Sequence, residues 1–107
     1  MTDADDAAVT RIRFVATVVD WRGPSPYFFA PVPEAEAETI RRLARALSYG
    51  WGMIPVAARI GDVEFTTALF PKDGTFLLPL KDAVRRKAEI TAGDAVEVEL
   101  TLQARAR

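Results

Sequence analysis

The sequence predicts a mainly β domain with two helices: a small barrel of about six strands built from two pseudo-repeated strand–helix–strand halves. Three observations predict it. Apolar residues alternate with period two through most of the chain, and a helical period takes over only at 34–47 and 81–88. Prolines and single glycines punctuate the runs at short intervals, as turns between short strands do. The same order of features also recurs in the two halves: a long strand, a Pro/Gly turn, a short aromatic strand ending in proline, a helix, a Gly loop and a final strand. "IRRLA" at 40–44 answers "VRRKA" at 84–88. Arg-Arg on a solvated helix face is common, so the shared order carries the repeat more than the pentapeptides do.

Residues 1–11 read as a frayed acidic N-terminal tail, 12–102 as one barrel domain, and 103–107 as a solvated C-terminal tail. The first strand, "IRFVATVVDW" at 12–21, sets Ile12, Phe14, Ala16 and Val18 against a second face that is also partly apolar. "RGPSP" ends it, because its two prolines and glycine cannot continue a ladder. "YFFAPV" at 27–32 is a short aromatic strand closed by Pro31 and Pro33. From Glu34 to Leu47 the apolar residues Ile40, Leu43, Ala44 and Leu47 share one helical face. The acidic residues come first and the arginines later, as the helix dipole favours. Tyr49-Gly50-Trp51-Gly52 stops the helix. Met53–Ile60 is a strand whose start Pro55 restricts to an edge or a bulge. Gly61-Asp62 is a two-residue hairpin turn leading to "VEFTTALF" at 63–70. "PKDG" turns into "TFLLPL", Lys81–Ala88 forms a second helix of about two turns, and Thr91–Asp94 turns into the last strand. There Val96, Val98, Leu100 and Leu102 point inward, and Glu97, Glu99 and Thr101 face water.

One domain is expected from 107 residues, half of them apolar, with a formal net charge of −1. That charge supplies no global field toward nucleic acid or anionic lipid, so no strong nucleic-acid binding is expected. No apolar run approaches membrane-spanning length, and "MTDADDAAVT" lacks the order of a signal peptide, so the expectation is a cytoplasmic protein without membrane attachment. The chain has no cysteine and no histidine. This excludes disulfides, thiol chemistry, Cys/His zinc sites and every Ser-His or Cys-His nucleophile pair. The scattered acids form no metal-loop pattern, and no Gly-rich phosphate loop occurs, so neither a metal nor a cofactor is expected.

A strand–Pro–basic helix–Gly-Asp–strand unit cannot bury both faces of its strands alone, and two such units interleaved close a small barrel. In the second half the order "LP-K-x-x-R…GD-x-V-x-V" resembles the swapped-hairpin units of AbrB-like transcription factors, which build a double-split barrel from two chains. Two copies in one chain would make a pseudo-dimer, closed internally, and so a monomer or weak homodimer. The wider pattern is that of Gly50-Trp51-Gly52, Ile60-Gly61, Thr67-Ala68-Leu69-Phe70-Pro71, Leu78-Pro79-Leu80-Lys81, Val84-Arg85-Arg86 and Gly93-Asp94. In this it resembles the family described as domain of unknown function 1905. The resemblance implies a six-stranded double-split barrel, found alone or fused to a small helical bacterial domain, and implies no established activity. Ala68 stands where the family's run has a serine, so no hydroxyl role is implied there.

The candidate ligand site comprises Tyr49, Trp51, Arg59, Thr67, Lys81 and Arg85. Lys81 sits where the short strand meets the second helix, an unfavourable place for a cation. It is either solvated or used to hold an anion or pair with Asp82 or Asp94. Arg85, one turn on, shares its helical face and either joins Lys81 in clamping a carboxylate or phosphate or meets an acidic neighbour. Arg59, in an otherwise apolar strand, either snorkels at the rim or lines a polar pocket. Thr67 falls on the apolar face of its strand. Tyr49 and Trp51 would lie at the barrel mouth, as a stacking platform or as a plug over the core. Three function classes follow. The first is a non-catalytic module binding a small anionic or amphipathic ligand. The second is a nucleic-acid-binding regulator by analogy with AbrB-like barrels. The third is an enzyme using Lys81 or Tyr49.

Overall fold

A computed structural model describes residues 9–21, 27–47 and 53–103. It contains β1 (Val9–Thr17), β2 (Val19–Trp21), β3 (Tyr27–Pro31), α1 (Glu34–Leu47), β4 (Ile54–Ile60), β5 (Val63–Lys72), β6 (Thr75–Pro79), α2 (Asp82–Ala88) and β7 (Ala95–Gln103). All strand pairs are antiparallel, in the order β1-β7-β4-β5-β6-β3-β2. The two outermost strands, β1 and β2, are consecutive stretches of one chain segment. The sheet therefore curls until the segment 9–21 serves both of its margins, which makes a barrel of six segments.

The long first strand of the sequence reading is thus two strands. Its alternation is continuous, but its partner changes at Val18: Val9–Thr17 pair with β7, and Val19–Trp21 pair with β3. Val18 itself is stitched to the turn before β7. Its N–H donates to the Asp94 carbonyl at 2.8 Å, and its carbonyl accepts from the Gly93 N–H at 2.8 Å. The strand also begins earlier than its apolar pattern, at Val9, because β7 is long enough to pair Gln103 with it. Pro71 lies within β5 rather than in a turn. The turn is Asp73-Gly74, both left-handed at φ 52° and 84°, as the tightest hairpin with right-twisted strands requires. Pro55 lies in β4 opposite Ala68, beyond the reach of β7, which pairs only with Ala57–Ile60, so the missing N–H breaks no second ladder.

The core is the inside of this ring. Ile12, Phe14, Ala16 and Val18 meet Val56, Ala58, Ile60, Val96, Val98, Leu100 and Leu102, and α1 adds the fully buried Ala37 and Ile40. Ile54, Leu69, Leu78 and Leu100 are at 0% exposure, each contributing about 1.5–3 kcal/mol of burial.

The two halves are related by an internal pseudo-twofold. β3 pairs with β6 and β4 with β7, each strand facing its own counterpart. β1–β7 matches β5–β4, and β2–β3 matches β5–β6. Single bonds repeat as well. The Val32 N–H donates to the Phe76 carbonyl and the Leu80 N–H to the Phe28 carbonyl, both at 2.9 Å. At the helix starts, Ala37 donates to the Pro33 carbonyl and Arg85 to the Lys81 carbonyl. Val32 is therefore equivalent to Leu80, Phe28 to Phe76, Pro33 to Lys81 and Ala37 to Arg85. The pentapeptides that first suggested the repeat are out of step with it. Counted from the helix starts at Glu34 and Asp82, Ile40 and Val84 differ by about one helical turn.

Candidate functional site

Neighbouring strands part at two seams, one in each half, and a groove opens at the second. In the second half, β5 pairs with β6 only through Phe70–Lys72 and turns to β4 through Val63–Leu69, while the end of β6 pairs with β3. A groove of about 630 Å³ opens between Thr67–Ala68 on one side and Pro79–Lys81 on the other. α2 follows β6 directly and packs against β5, so its first turn forms the lip.

Aromatic rings form the walls. Trp21, Tyr27, Phe28, Phe29 and Phe70 all line the groove. Phe29 is the hub: Trp21 and Phe70 meet it edge-on at 5.7 and 5.3 Å between centroids. The Lys72 ammonium sits 4.6 Å above the Trp21 ring, an arrangement that adds electrostatic attraction to packing. Phe29 is buried although it lies outside the main core, whereas Trp21 and Tyr27 are 46% and 60% exposed. Trp21, Tyr27, Phe29 and Phe70 belong to the outer surface of the barrel as it bends into the seam, whereas Phe28 packs against the core.

The lip carries the charges. Arg85 lies flat, its guanidinium carbon 3.8 Å from the centroid of Phe28. Its Nε donates to the Leu80 carbonyl at 3.1 Å, and Nη2 reaches the Asp82 carboxylate at 3.5 Å. With 21% of the side chain exposed, Arg85 is held by three contacts and keeps N–H donors to spare. Lys81 caps α2 from an extended backbone, is exposed, and makes no ion pair among the described residues. Asp82 is shared between Arg85 and Arg86. Among the side chains that line the groove, Lys81 and Arg85 against Asp82 leave a single net positive charge, because Arg86 is 75% exposed and lies outside the lining.

Of the residues singled out in the sequence, Thr67, Lys81 and Arg85 come together here. Thr67 is half-buried, and no buried side-chain polar atom among the described residues lacks a hydrogen-bond partner. Arg59 is elsewhere. Its neighbours Ala58 and Ile60 point into the core, so period two turns Arg59 outward, half exposed, on the barrel wall. There it lies opposite Glu64 and Glu99, at 3.8 and 3.5 Å, and Glu99 also accepts Arg13 at 3.5 Å. This is a cross-strand charge ladder with every member partnered, and it lines a different surface from the groove. Tyr49 and Trp51 lie outside the described residues. The sequence reading missed Phe28 and Phe70 as lining residues. The run "YFFAPV" marked an aromatic strand, but only the register shows that Phe28 lies under Arg85.

A family model, domain of unknown function (DUF1905), matches residues 14–100. The chain belongs to that family. The matched span of this DUF1905 chain runs from the core residue Phe14 in β1 to Leu100 in β7 and includes Thr67, Lys81 and Arg85. Comparison with curated proteins finds no match. No helix among the described residues of the DUF1905 chain is long and apolar enough to cross a membrane.

Proposed function

We propose that this domain binds a small amphipathic anion in the groove between β5 and β6, without catalysis of its own, as a cytoplasmic monomer or weak homodimer. The observation that carries the reading is Lys81, without an ion pair among the described residues, beside a pinned Arg85 at the mouth of an aromatic groove. An apolar body would displace water from the rings, and its charged end would meet the two cations. Among the described residues the groove offers no nucleophile matched to a base, since the one acid among them that lines it, Asp82, is engaged by two arginines. The chain has no cysteine that would need an oxidising compartment, and its barrel closes within one chain, which supports the cytoplasmic, monomeric part of the reading.

The test is titration of the full chain with 1-anilinonaphthalene-8-sulfonate, an aromatic monoanion, followed by its fluorescence and by amide chemical shifts. The expected result is saturable one-to-one binding that shifts the amides of Phe28, Ala68 and Lys81 and is weakened by Lys81→Ala. Absence of saturation, or shifts confined to the opposite wall around Arg59, overturns the reading.

A further inference from the structure

The pseudo-twofold supplies an internal control for the groove, because each residue of the open seam has a counterpart in the first half. The register that pairs Leu69 with Ile54 matches the bond between Val18 and Asp94. It follows that Thr67 corresponds to Ala16 and Phe70 to Val19. The paired bonds at the helix starts set Lys81 against Pro33 and Arg85 against Ala37. The first seam is sealed: Ala16 is 6% exposed, Ala37 0%, and Phe76, the counterpart of Phe28, 6%. α1 runs on for 14 residues and buries Ile40 completely in the core. In the second seam the helix has 7 residues and a single buried one, Val84. A threonine replaces the buried alanine on the strand, and an arginine replaces the buried alanine on the helix. One fold has thus built the same seam twice, closing one with small apolar residues and leaving the other open, aromatic and cationic.

We infer that the open seam takes a monocarboxylate with a flat aromatic body, and that Arg85 is the residue that selects it; this rests on the binding reading above. The charge count favours one negative charge. Among the lining side chains Lys81 and Arg85 set against Asp82 leave one net positive charge, Arg86 sharing Asp82 only from the exposed side outside the lining, so a dianion would bring an unmatched charge into an apolar groove beside a carboxylate. Arg85 is preorganised for a carboxylate. Phe28 fixes one face of the guanidinium, the Leu80 carbonyl and Asp82 fix its rotation, and the donors left over lie in one plane. Lys81, exposed and without an ion pair among the described residues, supplies attraction without geometry. Rings on the walls match a flat aromatic body, since offset and edge-on ring contacts add to apolar burial.

Three naphthalene probes of the same body test this on the full chain at pH 8: 2-naphthoate, 2-naphthyl phosphate as the dianion, and the neutral 2-naphthalenemethanol. Amide shifts and calorimetry should show 2-naphthoate binding at least about tenfold tighter than either of the others. Arg85→Ala should weaken 2-naphthoate by about tenfold or more and abolish its preference over the neutral alcohol. Lys81→Gln should weaken it less and leave the preference standing. If Arg85→Ala does not give a cooperative thermal transition, Arg85→Lys replaces it. That variant keeps the charge and loses the planar fork, and it should still lower the preference for carboxylate over phosphate. Tighter binding of the phosphate, or an undiminished preference in the Arg85 variants, overturns this inference while leaving an anion-binding groove. Failure of both naphthyl anions and of the anilinonaphthalene sulfonate removes the binding reading as well.

Discussion

Arg59 and Arg85 show how one residue type takes opposite roles according to its register. Arg59 lies across two ladders from Glu64 and Glu99, on a wall exposed to water, where each contact is screened. Exposed pairs of this kind contribute about 0–1 kcal/mol. Arg59→Ala should therefore lower stability by under about 1 kcal/mol and leave anion binding in the groove unchanged; a loss of binding in this variant would show that the wall and the groove are coupled. Leu78 stands at the other extreme, with no exposure, in the short strand that pairs β3 to the rest of the barrel. Leu78→Ala should cost about 2–5 kcal/mol, read from urea unfolding, because the closed ring cannot collapse into the space left. A loss below about 1 kcal/mol would mean that the barrel repacks freely.

The helices end and attach by different means. α2 stops at Glu89, which adopts the left-handed conformation at φ 57° and ψ 53° while its N–H donates to the Arg85 carbonyl. Left-handed geometry costs a residue with a Cβ about 1–2 kcal/mol, and glycine is the usual occupant of such an end. Glu89→Gly should raise stability by about 0.5–1 kcal/mol, the strain relieved being partly offset by the greater freedom of the unfolded chain. An unchanged or lower melting temperature would contradict this. α1 is pinned through Arg41, which donates to Glu34 at 2.7 Å, to Glu38 at 3.0 Å and across to the Gly74 carbonyl at 2.5 Å. Its hydrogen bonds to Glu34, and then to Glu38, raise the guanidinium pKa above the ordinary arginine value. The bond to Gly74 ties α1 to the β5–β6 turn of the other half.

The barrel is held together between its halves more than within them. Within the first half only β2–β3 pair, and within the second only β5–β6; every other ladder, β1–β7, β4–β7, β4–β5 and β3–β6, crosses from one half to the other. A half alone would expose open strand edges and part of the core. Cutting the chain between Gly61 and Asp62 should therefore give two fragments, neither of which shows a cooperative transition as a monomer, while an equimolar mixture recovers the intact chain's circular dichroism and unfolding midpoint to within a few degrees. A monomeric fragment that unfolds cooperatively by itself would refute the interleaved account. The mixed-sign outer wall leads to a second expectation. With Arg13 and Arg59 paired to acids, and Arg41 and Arg86 likewise, no coherent cationic face forms among the described residues. Duplex DNA should bind no tighter than tens of micromolar at physiological salt, roughly the non-specific range. A sub-micromolar, salt-sensitive gel shift would favour a nucleic-acid role instead.

Period and punctuation determined the strands, both helices, the hairpins and the repeated order, because alternation, prolines and turn residues act through neighbours in the chain. The inward sides of β1, β4 and β7 were legible for the same reason: a residue's face in a strand follows from counting by two. The tertiary structure decided what depends on partners distant in sequence. It broke the first strand at Val18, where the partner changes from β7 to β3. It set Arg59 among Glu64 and Glu99, and it brought Phe28, Thr67 and Arg85 from three segments to one groove. It also corrected the ground for the repeat: the halves match through their ladders and helix starts, while the two Arg-Arg pentapeptides sit about one turn apart. Helical similarity is cheap in sequence because any amphipathic helix repeats it. A register of cross-strand bonds is specified by two chains of neighbours at once, and only the closed barrel contains both.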